Sequence, residues 1–425
     1  METLQYPRLG ETMYNYICAN GLTVKVVPRP GFTRKMAYFV TDFGSIHTDF
    51  ELEGKTYHAP AGIAHFLEHK MFELPGRDVS AEFAALGANV NAFTSYDMTA
   101  YYFSCSENFM ESLALLLEFV SIPYFPAESV QREMGIIDQE IGMNEDTPDT
   151  RVFEDLMLCL YKNHPIRMPI LGSRESLRQI TPELLSACHR AFYTPANMIL
   201  CVVGDVDARE IVALADKVLG ADKKPAGKKL RPWNEEMHTE KSDCHSTMEV
   251  AMPTFQMAFK AEPAPMGEEN IRAEIIGDLA AEMLFGEASG LYLRMYEDGL
   301  IDSSFGGGYE SVDGCAMLNC GGDSYEAFSI REAILERVAH LADEGVSEAD
   351  FLRMKRSAMG RRIRDLDSFD SMCFRICAYH FSGFEYFDFP AVYADVRQED
   401  VLEFLQRVVI RERCALSVIN PKEET

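Results

Sequence analysis

The 425-residue chain has no long hydrophobic run. Leu113 to Val120 is apolar but short, and Glu118 interrupts it. A membrane-spanning helix needs roughly 20 such residues. Basic charge is also scarce, with 40 Lys and Arg against 67 Asp and Glu and a formal net charge of −27. That balance argues against nucleic acid and anionic membrane surfaces as partners. The segment Met1 to Pro7 has neither a basic stretch nor an apolar one, so no secretory signal is read there. The 11 cysteines have no framework spacing, and Cys201 sits inside the apolar run Leu200 to Val203. Cys373 and Cys377 are four apart, with no second pair close by to complete a zinc knuckle. Reduced thiols and a cytoplasmic location are therefore expected.

Against these absences stands one dense motif, His65-Phe66-Leu67-Glu68-His69. On a helix, positions four apart share a face, so both imidazoles point the same way and can hold one zinc ion. Glu68 lies beside His69 and three residues after His65, within reach of a water on that ion. The order His-x-x-Glu-His is the inverzincin signature. From this chain's His and Glu frequencies, about one sequence of this length in fifty would hold it by chance. Ile63, Ala64, Phe66 and Leu67 surround it with apolar side chains, so a merely solvated helix face does not fit.

The length suits two domains. The polar, basic segment around Lys223 to Lys229 and the charged stretch after it have no apolar period, which makes 223–246 a linker. Residues 1–222 and 247–425 then read as two similar α+β domains from an internal duplication, each an antiparallel-rich sheet with helices packed on it. In the first, strands are expected at Leu22–Val27, Met36–Val40, Ala88–Ser95, Thr99–Phe103 and Asn197–Gly204, and helices near 108–120 and 127–143. In the second, strands at Gln256–Lys260, Cys315–Cys320 and Cys414–Ile419 accompany helices near 271–284, 289–296, 330–342 and 348–364. Only the first carries a metal motif.

A catalytic zinc takes three protein ligands and keeps one position open. Glu133 and Glu140, seven apart on the helix after Pro126, share one face, with Ile136 and Ile137 between them. Carboxylates in an apolar stripe are costly without a partner, and a metal would be one. His164, before Pro165, suits a loop or capping role better than a fourth ligand. His189, His340 and His380 have no partner at ligand spacing, and Trp233 reads as a packed anchor.

Together with Glu133 to Glu140, Asn91-Ala92-Phe93-Thr94-Ser95, Tyr193-Thr194-Pro195-Ala196-Asn197-Met198 and Val203-Gly204-Asp205-Val206-Asp207, the motif resembles the pitrilysin/insulinase family of zinc metallopeptidases. The mitochondrial processing peptidase belongs to that family, and the likeness covers nearly the whole chain. The resemblance implies that His65, His69 and Glu140 bind one zinc ion per chain and that Glu68 is the general base. It implies that Glu133 supports the site from behind the ligands. It places Asn91, Ala92, Phe93 and Thr94 at a sheet edge where a substrate peptide adds as a strand, with Asn91 orienting the scissile bond. Two pairs of α+β domains are expected to close around a chamber.

One departure stands against these matches. Active members carry an Arg and, seven residues later, a Tyr near a Gly-Leu pair, and both steady the developing oxyanion. Here Gly299-Leu300 puts Met295 and Asp302 at those places, with Arg294 one residue off. The expectation is a zinc endopeptidase that forms the metal-bearing half of a heterodimer, its partner of similar fold supplying Arg and Tyr. A homodimer, a non-cleaving peptide-binding subunit, and a dedicated maturation protease for a ribosomally made peptide or another protein are the alternatives.

Overall fold

Stretches rich in β-branched and aromatic residues, such as Thr23–Pro28, Lys35–Thr41 and Thr99–Cys105, are strands, and the strands form two main sheets in a computed structural model that describes residues 1–422. The first sheet has the spatial order Glu2–Tyr6, Glu11–Ile17, Thr23–Pro28, Met198–Gly204, Lys35–Thr41, Thr99–Cys105, Asn89–Thr94. Only Thr23–Pro28 and Met198–Gly204 pair in parallel; every other neighbour is antiparallel. Met198–Gly204 is buried along its whole length, as its unbroken apolar run demands.

The second sheet runs Asp243–Met248, Cys414–Pro421, Thr254–Ala261, Cys315–Asp323, Gly306–Val312. Its first pair is parallel and the rest are antiparallel. This repeats the last five strands of the first sheet in order and direction, so the chain is a duplicated α+β fold. Asp243–Met248 begins inside the stretch read as linker, because its alternation of polar residues hides a strand. Gly306–Val312 escaped the sequence reading too, since three successive glycines carry little strand signal.

The chain divides into two compact units, and each draws on both halves of the sequence. The first comprises Met1–Ile141, Pro169–Pro232 and Ile363–Asp388. The late helix Phe369–Phe381 packs on its strands Met198–Gly204 and Lys35–Thr41. There the Tyr38 hydroxyl donates to Asp370 Oδ1 at 2.5 Å, and Lys25 pairs with Glu385 at 2.7 Å. The second comprises Gly142–Met168, Trp233–Arg362 and Phe389–Thr425. The early helix Pro148–Leu160 packs on its strands Cys414–Pro421 and Thr254–Ala261. Among the described residues, no helix is long and apolar enough to cross a membrane.

Candidate metal centre

The motif lies on the helix Ile63–Met71, which enters through Gly62 at φ +88°. A Cβ at Gly62 would stand 2.3 Å from the Leu171 carbonyl oxygen, so only glycine admits the turn here. Ile63, Ala64, Phe66 and Leu67 are buried in the core of the first unit. Packing on three sides leaves the two imidazoles facing the helix Ala127–Glu145, with ring centres 4.6 Å apart.

Glu133 and Glu140 project from that helix. His65 Nε2 stands 3.6 Å from one Glu140 oxygen, and His69 Nε2 stands 3.6 Å from the other. Ligand atoms around a tetrahedral zinc are about 3.3–3.5 Å apart, given bonds of 2.0–2.2 Å. Donor atoms of the three side chains all lie within 4.8 Å of one another. The set of two imidazoles and one carboxylate suits zinc, so the residues fit the ion. Among the described residues this is the one such cluster.

Supporting contacts complete the geometry. His69 Nδ1 donates to Glu133 Oε1 at 3.0 Å, which leaves its Nε2 lone pair aimed at the cluster. His65 has no such brace: its Nδ1 is buried without a hydrogen-bond partner. Burial, and then the neighbouring His69, hold the His65 imidazole down at about 3, so it stays neutral. For His69, burial pulls the other way from Glu133, Glu68 and Glu140, and the carboxylates win, raising it. Burial pushes the Glu68 carboxyl up, against the Thr94 hydroxyl, which donates to Glu68 Oε2 at 2.6 Å.

Thr94 belongs to Asn89–Thr94, the last strand of its sheet, paired on one side only. Asn91 is exposed on it, and the Phe93 ring packs with Tyr38, Tyr102 and Phe374. The contact from Thr94 to Glu68 was not foreseen, since nothing in a strand's sequence says what lies across the sheet face. Ile136 departs from expectation: it is 54% exposed, whereas Ile137 is fully buried. One residue turns a helix by about 100°, so only Ile137 shares the inward stripe.

The other singled-out residues lie elsewhere. His164 accepts from the Ile166 N–H, contacts the Asp313 carbonyl at 2.8 Å and meets Trp233 edge-on. His189 stacks on Tyr193 within the core. Met295 is buried on the helix Gly290–Glu297, and Asp302 accepts from the Ser304 N–H and hydroxyl. Neither offers a donor to an oxyanion. Arg294 Nε bonds back to the Gly290 carbonyl.

A sheet-backed helix with His-x-x-Glu-His, and a carboxylate from a second helix, define an inverzincin-type centre. Two family descriptions match in tandem: insulinase (peptidase family M16) over residues 54–174 and peptidase M16 inactive domain over 179–358. The chain is 34% identical over 429 residues to the zinc protease YmfH of Bacillus subtilis, covering 99% of this chain and all of that one. It therefore belongs to the insulinase (M16) peptidase family. Among solved structures, an M16-like peptidase from Alicyclobacillus acidocaldarius superposes with a TM-score of 0.93 at 32% identity, covering 99% of this chain and 100% of that one. A protease from Helicobacter pylori shares the fold at a TM-score of 0.82 and 19% identity, over 96% of this chain and 99% of that one.

Proposed function

We propose that this chain is a zinc-dependent endopeptidase and the metal-bearing subunit of a heterodimer working in the cytoplasm. The observation that carries the reading is the convergence of His65, His69 and Glu140, with Glu68 held beside them by Thr94. Zinc, when bound, supplies Lewis acidity at the scissile carbonyl and acidifies a water. His65, His69 and Glu140 would hold it, and Glu133 keeps the His69 ring in its ligating orientation. Glu68 takes the proton of the attacking water on its carboxylate and returns it to the departing amine. The burial that raises its carboxyl brings its proton affinity nearer to working pH.

The free edge of Asn89–Thr94 receives the substrate as an added strand, so affinity comes from main-chain hydrogen bonds and depends little on sequence. The exposed Asn91 orients the scissile peptide. Ala92 and Phe93 contribute backbone, because the Phe93 ring is already packed.

The heterodimer rests on Met295 and Asp302, neither of which can donate to the oxyanion. Loss of one such donor lowers rates by roughly 10²–10³. Co-purification from the native host, followed by zinc analysis and peptide digestion with and without the second chain, tests both parts. Cleavage at full rate by the zinc-loaded chain alone would remove the heterodimer. A zinc-loaded pair that binds peptides and never cuts them would remove the peptidase.

A further inference from the structure

The two helices that carry the proposed ligands meet along a seam whose contacts run in opposite directions. His65 faces Glu140, and His69 faces Glu133. One residue further along the first helix, Lys70 reaches Ser129 near the start of the second. Ser129 precedes Glu140 by eleven residues, three turns of helix, so both project from the same face to within about 20°. The seam therefore has a third rung, made of residues that take no part in holding a metal.

Lys70 is 1% exposed, an unusual place for an ammonium group. Its Nζ donates to both the Ser129 hydroxyl and the Glu73 carboxylate. The Ser129 hydroxyl in turn donates to the same Glu73 oxygen, which closes a three-membered ring of contacts. Burial alone would push the Glu73 carboxyl up, but Lys70 and Ser129 outweigh it and hold it below the usual range. A buried charge so paired fixes one spacing between the elements that carry it, because any slip strands the ammonium without partners.

We propose that Lys70 is a positioning residue: through Ser129 and Glu73 it fixes how closely the Glu133 and Glu140 helix approaches the two histidines, and so tunes zinc affinity. Its consequence for zinc rests on the metal reading above, while the clamp itself does not. The test uses the full chain, with Lys70→Met, Ser129→Ala and the double variant. Zinc affinity is read by competition with a chromophoric chelator, and the Co²⁺ visible spectrum reports ligand geometry. Amide hydrogen exchange across residues 127–145 is followed in metal-free protein.

Each single variant should lower zinc affinity by about tenfold or more. Each should also perturb the Co²⁺ bands and speed exchange in the helix, and the double variant should do little more than either alone. A side chain that merely adds stability would lower the melting temperature and leave affinity and spectrum untouched at 20 °C. Should Lys70→Met fail to fold, Ser129→Ala, which removes a single hydroxyl, carries the same comparison. Folded variants with parental affinity, spectrum and exchange would overturn the clamp. If the parent chain binds no zinc yet both variants loosen the helix, the clamp stands and the metal reading falls.

Discussion

The two sheets share a five-strand order and differ in what fills the gap between the last strand and the helix against it. In the first unit the helix Ile63–Met71 lies by the strand Asn89–Thr94, and the gap holds Glu68 bonded to Thr94. In the second unit the helix Glu268–Phe285 lies by Gly306–Val312, and the gap holds the Tyr309 ring pressed on Gly277. A Cβ at Gly277 would stand 2.2 Å from Tyr309 Cγ. One topology has thus produced a polar cleft and a plugged one. The fold supplies the cleft; chemistry depends on whether side chains leave it open.

That contrast can be broken most directly at Glu68. Glu68→Gln should keep zinc by elemental analysis and lower peptide hydrolysis by about 10²–10⁴, whereas His65→Ala or His69→Ala should lose both. Retained hydrolysis in Glu68→Gln would mean the polar cleft is no more catalytic than the plugged one. Next comes Glu133→Gln, which leaves the ligand set intact and should weaken zinc binding by about 10–100-fold in a competition titration.

In the plugged cleft, Gly277→Ala should cost about 1–3 kcal/mol in a denaturant titration, because the buried ring has no room to withdraw. The smallest effect separates a packed histidine from the two proposed as ligands. Burial holds His189 down to about 4, below its ordinary 6.5. Stability from keeping it neutral is complete above about 6.5 and is lost as pH falls towards about 4. Metal-free His189→Gln should show a flatter decline of melting temperature across that window, with zinc affinity unchanged at neutral pH.

Much of the first unit is legible in the sequence because its signals are local. The spacing of His65, Glu68 and His69 depends only on helical period, and so does that of Glu133 and Glu140. In the second unit too, the helix expected at 348–364 is observed at Glu348–Arg364. What escaped depends on partners distant in sequence. Thr94 finds Glu68 across a sheet face, and Lys70 finds Ser129 between helices. The buried Lys70 reads as a solvated helix residue until its partners are known. Asp243–Met248 pairs with Cys414–Pro421 from the far end of the described chain, which no window of ten or fifteen residues can reveal.

The placement of Ile363–Asp388 in the first unit bears on how the molecule is made. During synthesis, the sheet behind the histidines waits for the helix Phe369–Phe381 to leave the ribosome before its exposed face is covered. A fragment ending in the basic stretch near Lys223 would contain every proposed ligand and still lack that cover. Such a truncated form should be recovered with chaperones or in inclusion bodies, however complete its catalytic motif looks on paper.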